Sequence, residues 1–176
     1  MRAKAWAQPN IALIKYWGKS DTERNLPAVG SISITLDELF TTMEIELVDG
    51  AAQDSLLVNG DEAPKMLPRV SRCIDRVLGR DRHKAVVTSE CNFPIAAGLA
   101  SSASAFAATV VAAAAAGRKD IDTDGLASLA GAASGSAARS WYAGFAELQN
   151  DQDDISVRSL RQPGDWPLKV VVAVTT

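Results

Sequence analysis

One histidine and two cysteines are all the imidazole and thiol that the 176 residues carry. Cys73 and Cys91 stand far apart and match no zinc spacing, which excludes a cysteine-built zinc site and leaves two reduced cytosolic thiols as the expectation. His83 abuts a charged turn and has no partner serine or cysteine motif, so a structural or exposed role is expected. A basic surplus is lacking too: the formal net charge is −3, which argues against nucleic acid or an anionic membrane surface as partner. Long apolar runs are missing. The longest, residues 103–117, is too short and too rich in alanine to span a bilayer. The opening MRAKAWAQPN contains no apolar h-region, so a soluble intracellular protein without a signal peptide is expected. No internal repeats, linkers or low-complexity tracts break the chain beyond its alanines.

With 47% hydrophobic and 22% charged residues, the chain has the balance of a globular protein long enough for one domain and a sizeable core. Its centre is the stretch 92–109, NFPIAAGLASSASAFAAT. A strand-like run ends at Pro94, a loop of small residues follows over 95–103, and an alanine-rich helix begins near Ser101. Small residues let a backbone approach an anion, and the first N–H groups of a helix have no internal partner. Ser101, Ser102 and Ser104 would add hydroxyls there. Two readings stand at this point: a serine N-cap opening a packed helix, and a phosphate cradle. A Walker loop is excluded, because no Gly-Lys-Ser/Thr follows the glycine.

Upstream, residues 3–7 and 11–17 read as strand, interrupted by Pro9, which cannot donate to a ladder. Extended backbone would place Ile11, Leu13, Lys15, Trp17 and Lys19 on one face and Tyr16 on the other. Two lysines on an apolar face are costly unless an anion answers them or both snorkel to solvent. Residues 20–25 read as a polar loop. Residues 31–36 and 41–48 alternate with period two, and 55–58 runs into Asn59-Gly60, a strong hairpin signal. Residues 64–78 form an amphipathic helix, with Leu67, Val70, Ile74, Val77 and Leu78 on one face. The arginines at 69, 72, 76, 80 and 82, mixed with Asp75 and Asp81, read as a solvated face. A strand over 84–90 feeds the central loop.

Small-residue helices are expected at 101–117, with Gly117 as the C′ residue, and at 123–133. The block SGSAARS at 134–140 follows. On a helical turn Ser136 and Arg139 share a face, and Ser134 just upstream could cap it. A helix start with an exposed arginine is the plain alternative. Three closing strands are expected at 144–149, 155–160 and 168–175.

PIAAGLASSAS resembles the phosphate loop of the GHMP kinase superfamily, whose usual form is P-x-x-x-G-L-x-S-S-A. KYWGK at 15–19 and SGSAARS at 134–140 narrow the resemblance, and all three in this order resemble the diphosphomevalonate decarboxylase family across nearly the whole chain. The resemblance implies an α+β fold of the ribosomal protein S5 domain 2-like kind. That is a mixed, mainly antiparallel sheet packed with helices, including an unusual left-handed βαβ crossover. It implies that residues 1–176 are a GHMP kinase amino-terminal domain, the carboxyl-terminal domain lying beyond them.

The implied activity is ATP-dependent decarboxylation of mevalonate 5-diphosphate to isopentenyl diphosphate, with Mg²⁺ and with a homodimer as one assembly it allows. Related alternatives are a phosphomevalonate decarboxylase and a mevalonate 3-kinase, and one of another class is a non-catalytic S5-like binding domain. By resemblance, Ala97, Gly98, Leu99, Ala100, Ser101 and Ser102 wrap the ATP phosphates. Tyr16, Lys19, Ser134 and Ser136 hold the substrate diphosphate, Lys15 lies beside the reacting phosphoryl group, and Arg139 orients the carboxylate. No residue is assigned as a direct metal ligand. The chain departs from the family pattern in two places. It contains no DAGPN-like motif, where the family carries its catalytic aspartate; Asp21, Asp37 and Glu147 match no such motif. Leu148 stands where many relatives have an aromatic residue.

Overall fold

The computed structural model describes residues 1–15, 18–23, 25–151, 154–166 and 168–173. The first third is strand: β1 (Arg2–Ala7), β2 (Asn10–Ile14), β3 (Lys19–Asp21), β4 (Leu26–Pro27), β5 (Ser31–Thr35), β6 (Thr41–Val48), β7 (Ser55–Val58) and β8 (Asp61–Glu62). Helix α1 (Leu67–Leu78), strand β9 (Lys84–Cys91) and helices α2 (Ser101–Ala116) and α3 (Thr123–Ala133) follow. A 3₁₀ helix, Ala137–Trp141, leads to β10 (Phe145–Asp151) and β11 (Asp154–Arg161).

The α+β class holds, with the sheet divided. Five strands run β1-β6-β9-β7-β8, four run β11-β10-β5-β2, and β3 with β4 makes a separate ribbon. Among the described residues the one parallel pair is β7 with β9, joined through α1. The larger sheet turns Met43, Ile45, Ala85 and Val87 onto a core shared with Val70 and Ile74 of α1. Removing each such branched or long side chain from water is worth about 1.5–3 kcal/mol. Helix α2 packs against β1, β6, α1, α3 and the 3₁₀ helix, and its small side chains permit that burial on almost every side. Among the described residues no helix is long and apolar enough to cross a membrane.

Several elements depart from the sequence reading. Strand β2 ends at Ile14 after a register irregularity near Ala12, where its sheet partner, β5, runs out at Ser31. Gly18, at φ +79, then redirects the chain, so Lys15 and Lys19 do not share a strand face. Of residues 20–25, expected as a polar loop, Ser20 and Asp21 belong to β3 of the β3–β4 ribbon. Helix α1 starts at Leu67, with Pro68 in its first turn, where a missing N–H costs nothing. Gly117 has φ −85, so the left-handed exit falls to Arg118. A glycine suits position 117 for packing, since a Cβ there would run into Leu78. Of the third closing strand, residues 168–173 form no strand, and 174–176 lie outside the described residues. Leu148 is fully buried in a second small core with Ala138, Ala146 and Val157.

The arginine run is only partly a solvated face. Arg82 has a side chain 5% exposed and donates from Nη1 and Nη2 to the Asp54 carboxylate, at 2.9 and 2.6 Å, and from Nε to Asp75. Burial alone would raise the Asp54 carboxyl, but the Arg82 bonds and the Ala85 N–H outweigh it and hold it well below the usual carboxylate range. A carboxyl depressed in the folded state adds stability above its ordinary pKa of about 3.9 and loses that contribution as pH falls further. Asp54→Asn should therefore cost about 3 kcal/mol at neutral pH, by leaving a buried guanidinium half-paired. In urea titrations the gap from the parent protein should narrow at about pH 3; a gap independent of pH would mean the charge is not the stabilising feature. His83 is exposed, 3.5 Å from Asp49.

Candidate functional site

Sequence-predicted residues form two clusters, the loop that enters α2 and the turn that follows α3. Asn92 ties the loop down: its Oδ1 accepts from the Phe40 N–H at 2.7 Å and its Nδ2 donates to the Glu38 carbonyl at 2.9 Å. Beyond buried Phe93, every second residue is left-handed: Ala96 at φ 62, Gly98 at φ 80 and Ala100 at φ 51. Left-handed residues alternating with others turn successive N–H groups toward one concave side, the geometry of an anion nest. Two of the three carry a Cβ, and such strain gathers at functional sites.

Ala100 occupies the N-cap position, and no side chain caps α2. The serine-cap reading therefore fails, and among the described residues no side-chain oxygen caps the first turn. Ser104 points away from the loop: fully buried, it bonds Thr41 Oγ1 at 2.7 Å and the Ser101 carbonyl at 3.1 Å. Beside the loop lies a cavity of about 310 Å³, with Ser101, Ser102 and Ala96 lining it alongside Leu56, Val58 and Phe106. Arg69, also lining it, sets its guanidinium 4.9 Å above the Phe106 ring.

The second cluster is the turn after α3. Ser134 is the C-cap of α3, its N–H bonded to the Ala130 carbonyl; it is not the N-terminal cap that the sequence suggested. The Ser134 and Ser136 hydroxyls stand 3.5 Å apart, and the 3₁₀ helix brings Arg139 beneath them. Arg139 is not exposed. It is 2% accessible, donating from Nη1 to Ser31 Oγ at 2.6 Å and from Nη2 to Asn10 Oδ1 at 3.3 Å. Asn10, also 2% accessible, donates from Nδ2 to the Ser136 carbonyl at 2.9 Å and to Ser140 Oγ at 2.8 Å. One amide thus binds the serine turn and the arginine into a single unit.

Sequence reasoning passed over Asn10, Ser31 and Ser140. The available signal was a polar amide heading an apolar strand, and a hydroxyl row at Ser31, Ser33 and Thr35. In that row Ser31 and Ser33 are buried, at 2% and 0% exposed, and Thr35 is half-buried.

Lys15 and Lys19 are exposed. Lys19 pairs with Pro27 across the ribbon, which is moored by Asn25 Nδ2 to the Gly131 carbonyl at 2.8 Å and by Asn150 Nδ2 to the Pro27 carbonyl at 2.7 Å. Pro27 and Gly135 line one cleft of about 240 Å³, so the ribbon carrying Lys19 borders the serine turn. Lys15 follows β2, whose first residue anchors Arg139. Tyr16 lies outside the described residues. Among the described residues, no three His, Cys, Asp or Glu side chains gather as a metal-ligand group.

An α+β unit with a strained small-residue loop at the head of a buried helix has the architecture of the GHMP kinase amino-terminal domain. The family model described as "Diphosphomevalonate decarboxylase-like N-terminal domain" matches residues 7–159, and the chain belongs to that family. It is 37% identical to diphosphomevalonate decarboxylase of Bos taurus over 97% of this chain and 48% of that protein. It is 34% identical to phosphomevalonate decarboxylase of Haloferax volcanii over 98% of this chain and 55% of that protein.

Among solved structures, mevalonate diphosphate decarboxylase from Staphylococcus aureus superposes with TM-score 0.83 at 38% identity, covering 91% of this chain and 50% of that one. The structure described as MDDEF in complex with MVAPP, AMPPCP and magnesium gives TM-score 0.82 at 33% identity, covering 92% and 51%. The chain spans about half the length of the curated relatives it matches.

Proposed function

We propose that this chain is the nucleotide- and substrate-binding half of an ATP-dependent decarboxylase acting on mevalonate 5-diphosphate in the cytoplasm. The observation that carries the reading is the Asn10-centred unit. It sets a buried guanidinium beside paired serine hydroxyls, matching a substrate that is anionic at both ends. The Ser134–Ser136 turn and Lys19 take the diphosphate, and Tyr16 belongs with them by resemblance. Arg139 takes the carboxylate, for which its planar fork is suited.

The first cluster, the loop entering α2, takes ATP. N–H groups of residues 97–102 and the hydroxyls of Ser101 and Ser102 face the phosphates, while the neighbouring apolar cavity accepts the base. Lys15 neutralises charge near the transferred group. Mg²⁺ bound to the nucleotide supplies further neutralisation, in keeping with the AMPPCP and magnesium complex of the relative. In the reaction, the tertiary hydroxyl of the substrate accepts the γ-phosphoryl group, and phosphate and carbon dioxide then leave. Positive charge building at the tertiary carbon is stabilised by the nearby diphosphate. The aspartate that serves the hydroxyl comes, by resemblance, from a motif outside these residues.

Likeness to the Haloferax protein favours a second reading, a monophosphate substrate. Comparing affinity for mevalonate 5-phosphate and 5-diphosphate decides between the two. The anion site itself is tested by heat. Inorganic diphosphate should raise the melting temperature through binding linkage. Lys19→Ala should shrink that rise, while Lys84→Ala, an exposed cation opening β9, should leave it intact. Equal losses in both variants would reduce the effect to diffuse charge and remove the site.

A further inference from the structure

We infer that Ser31 is a positioning residue that sets the plane of the Arg139 guanidinium; the inference rests on the carboxylate role proposed for Arg139. Among the described residues, two side chains from different strands grip this arginine. Asn10 opens β2, and Ser31 opens β5. The Ser31 contact is the shorter, 2.6 Å against 3.3 Å, and it is buried at both ends. Asn10 already spends its Nδ2 on Ser136 and Ser140, so its amide plane is fixed by the serine turn.

The Asn10 bond fixes Nη2 and leaves the orientation of Nη1 to other contacts. A second acceptor on Nη1, from a different strand, sets that orientation. Both acceptors are neutral oxygens, so they orient the guanidinium without themselves cancelling its charge. Ser31 has little freedom of its own: β5 is an inner strand, flanked by β10 and β2, and Ser31 pairs with Leu148 at the start of the ladder. The sheet therefore passes its rigidity to the arginine through one hydroxyl. Charge-assisted bonds to an arginine depend on direction as well as distance, so a fork that has lost its Nη1 acceptor on β5 should recognise a carboxylate less well while leaving a diphosphate contact alone.

The test uses the 176-residue chain, with Ser31→Ala to remove the acceptor and Ser31→Thr to restore it. Two probes differ in the carboxylate: mevalonate 5-diphosphate carries one and isopentenyl diphosphate does not. Calorimetry of the parent protein should show tighter binding of the carboxylate-bearing probe. Ser31→Ala should lose about five- to tenfold of that preference, with the affinity for isopentenyl diphosphate unchanged within about twofold. Ser31→Thr should regain it.

Independently of ligand, the Arg139 side-chain Nε–Hε signal in ¹⁵N NMR should be sharp in the parent and Thr proteins and broadened in Ser31→Ala. A Ser31→Ala protein that keeps both preference and sharp signal overturns the inference. So does equal weakening of both probes, which marks a merely structural serine. A parent protein with no preference overturns the Arg139 reading and this one together, and it is recognisable because it appears before any substitution.

Discussion

Valine at position 98 should reduce ATP affinity by about tenfold or more while leaving the fold in place. Gly98 sits at φ +80, and a Cβ built there meets nothing within 4 Å, so the substitution crowds no core atom. Its cost is conformational. A β-branched residue held in the left-handed region loses roughly 1–2 kcal/mol, and relaxing out of that region turns the loop N–H groups away from their common focus. About 1.4 kcal/mol is already a tenfold change in affinity. The two methyl groups also project into the space an anion would fill. Gly50→Val is the matched control: φ +72, again with nothing within 4 Å, in the turn after β6. It should carry the same strain and bind ATP like the parent. Calorimetric titration with MgATP reads both. Undiminished affinity in a folded Gly98→Val protein would remove the phosphate loop, and equal losses in both variants would assign the effect to general strain.

What could be read from the residues was whatever local chemistry settles. Asn59 and Gly60 were legible as a hairpin turn, and both adopt positive φ, 51 and 90, as a two-residue turn requires. Helix α3 was legible at both ends: Asp122 accepts from the Gly125 N–H at 2.9 Å, and the helix stops at Ala133, just before the Ser134-Gly135 pair. The loop before α2 was legible as a candidate anion site, but not the way it is built. Serines at the start of a helix invite a capping model, and the structure instead spends Ser104 inside and strains Ala100.

What could not be read depends on partners far along the chain. Local spacing left an exposed arginine on a turn as an alternative for Arg139, because the acceptors at Ser31 and Asn10 lie 108 and 129 residues away. The period-two alternation of β5 marked a half-buried strand, but alternation gives two faces without saying which is buried. The division into two sheets is of the same kind: β5 pairs with β2 and β10, while β6 pairs with β1 and β9, and no local pattern sorts them.

Arg139→Lys should produce the largest catalytic loss, and the same geometry explains why. Joined to the remaining half of a full-length relative, the chain should release carbon dioxide in an ATP-dependent reaction, and the lysine variant should do so about ten- to hundredfold more slowly. Ser31 and Asn10 hold separate nitrogens of the guanidinium, 2.6 and 3.3 Å from their acceptors, and a single ammonium cannot serve both strands and a carboxylate as well. Losing one charge-assisted contact costs about 1.5–3 kcal/mol, which sets the range. Part of that cost falls on the fold, because a buried acceptor is left unanswered, so melting temperature has to be measured beside kcat/KM. A catalytic arginine predicts a rate deficit that persists well below the variant's melting temperature, with ATP affinity intact. A structural one predicts a deficit that vanishes when the variant is assayed in the cold. Should the 176-residue chain alone decarboxylate at an enzymatic rate, a carboxylate such as Asp21 or Glu147 is serving the hydroxyl, and the division of labour between the two halves is wrong.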